Sequence, residues 1–228
     1  MSDSIGIISY DAPHLKTEQI LTTMLQQGLK PVVCLLPFKA RKPRPSLFQH
    51  RPCQSCAVHP VTIAQAHNLK YLYCEDDTNI PNDLNSYVIG GAGILSPSCV
   101  KGKKILNAHP GVIPAARGLD AFKWSIVNKI PMGVTLHTID AEVDKGDVLS
   151  IRKTCVYSTD TLETLARRHY ENEIDMLGRY MDFLQSPIVD FKNIIEGAAH
   201  MRMPLDIEEQ LSTRFEEYKN IFATDKES

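Results

Sequence analysis

What the sequence lacks narrows its function before any motif is read. No apolar run approaches the ~18 residues that a membrane span needs, and the opening Met1-Ser2-Asp3-Ser4 has none of the features of a signal peptide. There is no excess of basic charge. Lys and Arg number 25 against 27 Asp and Glu, a net charge of -2, which argues against a general nucleic-acid binder while leaving room for a local basic patch. No internal repeat and no low-complexity linker divides the 228 residues, so one domain with a real core is expected. Of the six cysteines, Cys34, Cys74 and Cys155 lie in apolar stretches, where a free cysteine behaves as a small core residue. That usage points to the cytoplasm, with no membrane partner and no nucleic acid.

What is present reads as strands alternating with helices. IGIIS (5–9) and PVVCLL (31–36) are short β-branched runs of the kind covered on both faces. Between them Ile20, Leu21, Met24 and Leu25 recur at helical spacing and Gly28 supplies a stop. A second cycle is expected as a helix over 61–67 and strands over 70–74 and 87–90, and a third as a strand over 104–107 and a helix over 120–127. The rhythm then changes to period two over 133–139 and 148–155, an antiparallel pair joined by a charged turn at 140–147. Asp160-Thr-Leu-Glu163 reads as a capping box opening a helix whose stripe is Leu162, Leu165, Ala166, Ile174, Leu177 and Met181. A hairpin is expected from Pro187 and a final amphipathic helix over 208–222. The fold class is therefore α/β: a Rossmann-like, doubly wound, mostly parallel sheet with an antiparallel extension. Residues 1–186 would form the catalytic domain, with 187–228 packed on it as hairpin and helix.

The chemistry gathers at NAHPGVIPAARG, residues 107–118. Side chains at i and i+2 of a strand share a face, so Asn107 and His109 can aim at one point beyond the carboxyl end of a strand, where open α/β sheets bind ligands. Asp144 sits in the charged turn, which can return a carboxylate to the same edge. An amide can stabilise an oxyanion, an imidazole can lend a proton, and a carboxylate can fix the imidazole and accept a proton. No Ser or Cys nucleophile accompanies them, so direct acyl transfer to an external nucleophile fits best. A turn former and a satisfied polar residue are the commoner fates of a lone Asn or His at a strand end.

The stretch 107–149, with Asn107, His109-Pro110, Pro114, Arg117-Gly118, Trp124, Gly133-Val-Thr135, His137, Asp144 and Gly146 in register, closely resembles the signature of the folate-dependent formyltransferases. These include glycinamide ribonucleotide transformylase, methionyl-tRNA formyltransferase and the sugar N-formyltransferases of bacterial surface polysaccharides. The resemblance implies N10-formyltetrahydrofolate as co-substrate and no metal. It implies Asn107, His109 and Asp144 as the catalytic set, with His137 either catalytic or a support for the Asp144 turn. Gly93, Ile94 and Leu95 of the GGAGIL loop, with Ala141, Glu142 and Val143, would hold the pterin; many relatives carry Arg in place of Gly93.

Departures from the relatives bear on the acceptor. The glycine-rich phosphate loop of the purine enzymes is replaced by SYDAPHLK (9–16), and too few residues follow the long helix for the tRNA enzyme's barrel. A nucleotide-linked amino sugar, as in O-antigen synthesis, is the expected acceptor. The alternatives are the purine-pathway acceptor and a non-catalytic folate-binding domain, and a homodimer is compatible with any of these. The basic loop with Lys39, Arg41, Lys42, Arg44 and Arg51 follows a strand and could meet phosphate, as could His14 and Lys16 after the first strand; Arg117 is a further candidate contact. His50, Cys53, Cys56 and His59 hold a Cys-x2-Cys, but they lack the long spacer of most zinc sites. A Cys53–Cys56 redox pair is the remaining reading of that cluster.

Overall fold

The period-two runs become neighbouring strands because each buries residues on both faces. In the computed structural model, which describes residues 4–40, 45–140, 146–185 and 195–224, the chain forms β1 (Ile5–Tyr10), α1 (Leu15–Gln26), β2 (Val32–Leu36), α2 (Pro60–Ala66), β3 (Tyr71–Tyr73), β4 (Ser86–Ile89), α3 (Pro97–Val100) and β5 (Ile105–His109). There follow β6 (Arg117–Gly118), α4 (Ala121–Val127), β7 (Gly133–Thr138), β8 (Val148–Lys153), α5 (Leu162–Gly178), α6 (Tyr180–Gln185), β9 (Ala199–His200), α7 (Leu205–Glu208) and α8 (Leu211–Phe222). Seven strands form one sheet in the order β3-β2-β1-β4-β5-β7-β8. The first five are parallel, and β7 and β8 pair antiparallel. The doubly wound sheet with an antiparallel extension is what the alternation of patterns implied.

The sheet sorts its side chains strictly by parity. Ile5, Ile7, Val33, Leu35, Val88 and Leu106 face a cluster with α1 (Ile20, Leu21, Met24) and α5 (Tyr170, Ile174, Leu177). Their chain neighbours Ile8, Cys34, Leu36, Tyr87 and Ile105 face the other way, onto Cys74, Cys99 and Val100. Cys34, Cys74 and Cys99 are thus small core residues, and burial pushes the Cys34 thiol up to about 12. Cys155 is not one of them: it lies beyond the end of β8 and is exposed.

A third cluster ties the last helix to the body. Leu211, Phe215 and Tyr218 of α8 pack on Phe122 and Ile126 of α4 and on Leu162, Leu165 and Ala166 of α5. Each such side chain contributes roughly 1.5–3 kcal/mol before ordering costs, and the Tyr218 hydroxyl donates to the Ile130 carbonyl at 2.8 Å.

One local expectation is corrected. The cap of α5 is Thr161, exchanging hydrogen bonds with Thr164, and not Asp160. Asp160 instead takes the Tyr157 N–H and a two-pronged Arg168, a role one residue upstream of the cap. Of the segment expected to form a C-terminal hairpin, the described residues include β9, which pairs in parallel with β6, 82 residues back in the chain. Residues 186–194, where that hairpin would begin, lie outside the described residues.

Candidate active site

At the end of β5 four polar residues form a square on one sheet face. Asn107 and His109 are two apart on β5, and across the antiparallel ladder they stand opposite His137 and Thr135 of β7. Each corner has a partner. The His137 Nδ1 lies 2.9 Å from the Thr138 carbonyl, which can only accept, so Nδ1 carries the proton and Nε2 is an acceptor. The Asn107 Nδ2 donates to that Nε2 at 3.2 Å. His137, 1% exposed, therefore orients the Asn107 amide. On the other diagonal, His109 sends Nε2–H to the Ala116 carbonyl at 2.8 Å, which leaves Nδ1 as the nitrogen whose protonation can change in a reaction. The His109 and His137 rings meet edge to face, 6.3 Å between centroids.

The turn that opens this corner is fixed by Thr135. Its hydroxyl donates to the Gly111 carbonyl at 2.7 Å and accepts from the Ile113 N–H at 3.0 Å. Gly111 has no room for a side chain, since a Cβ would lie 2.7 Å from the Ala116 carbonyl oxygen. The carbonyl that holds His109 and the turn that follows it are one packed unit.

Asp144, with Ala141, Glu142 and Val143, lies outside the described residues. The ends of its loop are defined. Thr138 N–H donates to the Asp147 carbonyl at 3.0 Å, and Asp147 N–H to the Thr138 hydroxyl at 2.9 Å. Gly146 is wedged there, because a Cβ would come within 1.8 Å of the Thr138 oxygen. The loop thus starts and ends one residue from His137.

The loop after β4 lies at the crevice where strand order reverses, between β1 and β4. Gly90 and Gly91 are close-packed against the start of α1: a Cβ would meet the Thr17 hydroxyl at 2.7 Å on one and the His14 ring at 2.8 Å on the other. Gly93 and Ile94 then run into solvent, Ile94 at 90% exposure, while Leu95 packs back on the core.

The sequence-derived acceptor contacts separate into three groups. Arg41 and Arg44, with Lys42, lie outside the described residues. His14 stands at the crevice, its Nδ1 3.0 Å from the Thr17 hydroxyl and its ring edge-on to Tyr10. Burial, with Lys16 and Arg51 nearby, lowers its pKa to about 4, so it is neutral at pH 7. Lys16 and Arg117 are committed elsewhere. Lys16 is 6% exposed and pairs with Glu173 of α5 at 2.7 Å. Arg117 donates to the Gly197 carbonyl at 2.7 Å and pairs with Glu196 at 3.1 Å, holding the segment before β9.

Three residues of the site were not singled out from the sequence. Glu173, 1% exposed, receives Lys16 and Arg51. Burial alone would raise its pKa, but the Arg51 and Lys16 charges outweigh it and hold the carboxyl at about 2. Glu208 does the same for the other end of the loop: it takes Lys123, the Ser46 hydroxyl and the Leu47 and Phe48 N–H groups, and sits at about 2 against its burial. His169, 2% exposed, bonds the Thr154 hydroxyl through Nδ1, and burial lowers it to about 4. The signal for Glu173 and His169 was their phase: both fall on the buried stripe with Tyr170, Ile174 and Leu177.

The histidines of the Cys-x2-Cys cluster are engaged apart from it. His50 stacks on Phe122 at 5.6 Å, and His59 accepts the Val61 N–H at 3.2 Å as the cap of α2. Among the described residues no three His, Cys, Asp or Glu side chains are placed to hold a metal ion, and no helix is long and apolar enough to cross a membrane.

The profile of the Formyl transferase family matches residues 91–181, from the β4 loop to α6. Phosphoribosylglycinamide formyltransferase of Bacillus subtilis is 33% identical over 73 residues, 32% of this chain and 37% of that protein. The dTDP-4-amino-4,6-dideoxyglucose formyltransferase of Mycobacterium bovis is 28% identical over 86 residues, 38% of this chain and 37% of that one. The chain thus covers little more than a third of the length of either relative. Among solved structures, a 4-N formyltransferase from Francisella tularensis superposes over 100% of this chain and 90% of its own at a TM-score of 0.60 and 16% identity, a likeness of fold. The square of Asn107, His109, Thr135 and His137 falls wholly inside residues 91–181, the stretch over which the chain is similar to the formyl transferase family.

Proposed function

We propose that the protein transfers a formyl group from N10-formyltetrahydrofolate to the amine of a nucleotide-linked amino sugar. The observation that carries the transfer is the pre-set pair at the end of β5: an Asn107 amide held by His137, and a His109 ring held by the Ala116 carbonyl. A neutral amine attacks the formyl carbon. The second N–H of Asn107 and the protonated Nδ1 of His109 stabilise the oxyanion that develops, and as the C–N10 bond breaks Asp144 assists transfer of the amine's proton to the departing N10. The exposed Gly93 and Ile94, with Leu95 and residues 141–143, receive the pterin. His14, Arg41 and Arg44 face the acceptor in this reading, while Lys16 and Arg117 serve the scaffold.

The choice of acceptor draws on three supports. The chain lacks a glycine-rich loop after β1, one relative is named for a dTDP-linked amino sugar, and the Francisella neighbour covers the whole chain. The purine-pathway acceptor is the second reading, because the Bacillus relative is equally similar. The test supplies N10-formyltetrahydrofolate with dTDP- and UDP-linked 4-amino sugars or with glycinamide ribonucleotide, following folate release optically. Turnover with an amino sugar alone is expected. Turnover with the ribonucleotide alone overturns the acceptor, and turnover with none overturns the transfer.

A further inference from the structure

Cys53 and Cys56 lie on the turn that caps helix α1, and both are exposed. Their sulfurs are 2.9 Å apart, so a disulfide bond requires about 1 Å of further approach. Between them, Gln54 performs a structural task that α1 does not perform for itself. The residue before α1, His14, makes no side-chain cap. Instead the Gln54 carbonyl accepts the Leu15 N–H at 2.8 Å, and its Oε1 accepts the Lys16 N–H at 3.0 Å. Two of the N–H groups that every helix start leaves open are therefore satisfied from the Cys-x2-Cys turn. The neighbouring Arg51 reaches Glu173, and the Gln54 amide also contacts the Tyr170 hydroxyl at 3.4 Å. The turn is a strap across the start of α1 and the middle of α5, with the two thiols as its bracket.

From this placement we propose that Cys53 and Cys56 are a thiol–disulfide exchange site for low-molecular-weight disulfides, and that closing it locks the Gln54 cap onto α1. The Cys53 thiolate attacks one sulfur of the external disulfide, forming a mixed disulfide and releasing one thiol. The Cys56 thiolate then attacks the Cys53 sulfur and expels the second thiol. Two protein thiols become one disulfide and the external disulfide becomes two thiols, with both protons passing to the released thiolates. Cys53 is suited to attack first. The Cys56 thiol donates to it and the Ser55 hydroxyl lies 3.4 Å away, and together these lower its pKa to about 7, leaving about half thiolate at neutral pH. Against an ordinary free cysteine the thiolate fraction rises about 15-fold. The accompanying loss of nucleophilicity is about fivefold, so the net gain in rate is roughly threefold.

The experiment uses the full chain and glutathione disulfide, with Cys155, the other exposed thiol, as internal reference. Cys53 should be alkylated at pH 7 roughly threefold faster than Cys155. Glutathione disulfide should remove two thiols from the wild type without leaving glutathione attached. Cys56→Ser should instead retain one glutathione, on Cys53. In the oxidised protein the Leu15 and Lys16 amides should exchange hydrogen more slowly than in the reduced one. Glutathione retained equally on Cys53 and Cys155 of the wild type, or no disulfide at all, overturns the exchange site. A disulfide that forms while the two amides exchange at an unchanged rate overturns the lock.

Discussion

Replacing Glu173 by alanine removes one carboxylate and strands Lys16, which is 6% exposed and has no water to turn to. The cost can be approached from two directions. A carboxyl held at about 2 in the fold, against its ordinary 4.5, corresponds to about 3 kcal/mol of stability at neutral pH. Breaking a buried pair by deleting one partner costs about 3–5 kcal/mol. For a chain of this size, 1 kcal/mol moves Tm by roughly 2–4 °C, so Glu173→Ala should melt about 10 °C early. The pH dependence has a fixed sign. A depressed carboxyl contributes fully above its unfolded pKa of 4.5 and loses that contribution as pH falls from there toward 2. The gap between wild type and variant in urea midpoint should therefore be flat from pH 7 to about 4.5 and close below it. The double variant Lys16→Met, Glu173→Leu should recover most of the loss, because no buried charge is left unpaired and Arg51, 36% exposed, can turn to solvent. A single variant within about 1 kcal/mol of wild type, or a double variant as unstable as the single, refutes the account.

Other outcomes follow from the site. Asn107→Ala should lower kcat by about 10²–10³, the scale of one oxyanion donor; His137→Phe, which frees the Asn107 amide, should lower it by up to about 10² through misorientation. Steady-state kinetics at saturating folate checks both, and a fully active His137→Phe would remove its positioning role. His169, lowered to about 4 by burial, contributes stability that is complete above pH 6.5 and is lost as pH falls toward 4. His169→Gln should flatten up to about 3 kcal/mol of that slope, measured as the difference in urea midpoints at pH 4.5 and 7.5. Gly118→Ala should detach β9 and speed proteolysis after residue 195, because φ is +86° and a Cβ would fall 2.2 Å from the His200 oxygen. Unchanged cleavage would show that the strand pair is dispensable.

Legibility in the sequence tracked how local each cause is. The strands of the parallel half were legible because each is a continuous apolar run, and the face shared by Asn107 and His109 followed from parity alone. What His137 does was not, since it depends on which residue of β7 stands opposite Asn107, a register fixed by two strands and a bulge. Lys16 was misread through attention to its charge rather than its phase: it lies four residues before Ile20, on the stripe of α1 that is buried. Its partner Glu173 is 157 residues away, beyond any pattern within one helix. The pairing of β9 with β6 was illegible for the same reason, being a contact of two-residue strands with no periodicity to announce it.

That last pairing also sets an order of events during synthesis. The segment from His109 to Gly118 leaves the ribosome early, yet the groups that clamp its far end, the Gly197 carbonyl and β9, arrive 80 residues later. At roughly 5–20 residues per second this is a wait of several seconds. Throughout it the Arg117 side chain, next in the chain to the Ala116 carbonyl that accepts from His109, is without the Gly197 carbonyl it will hold. The nascent protein can therefore hold its parallel sheet, and its thiol-bracketed turn, well before β9 closes over the β6 end of the segment that follows His109.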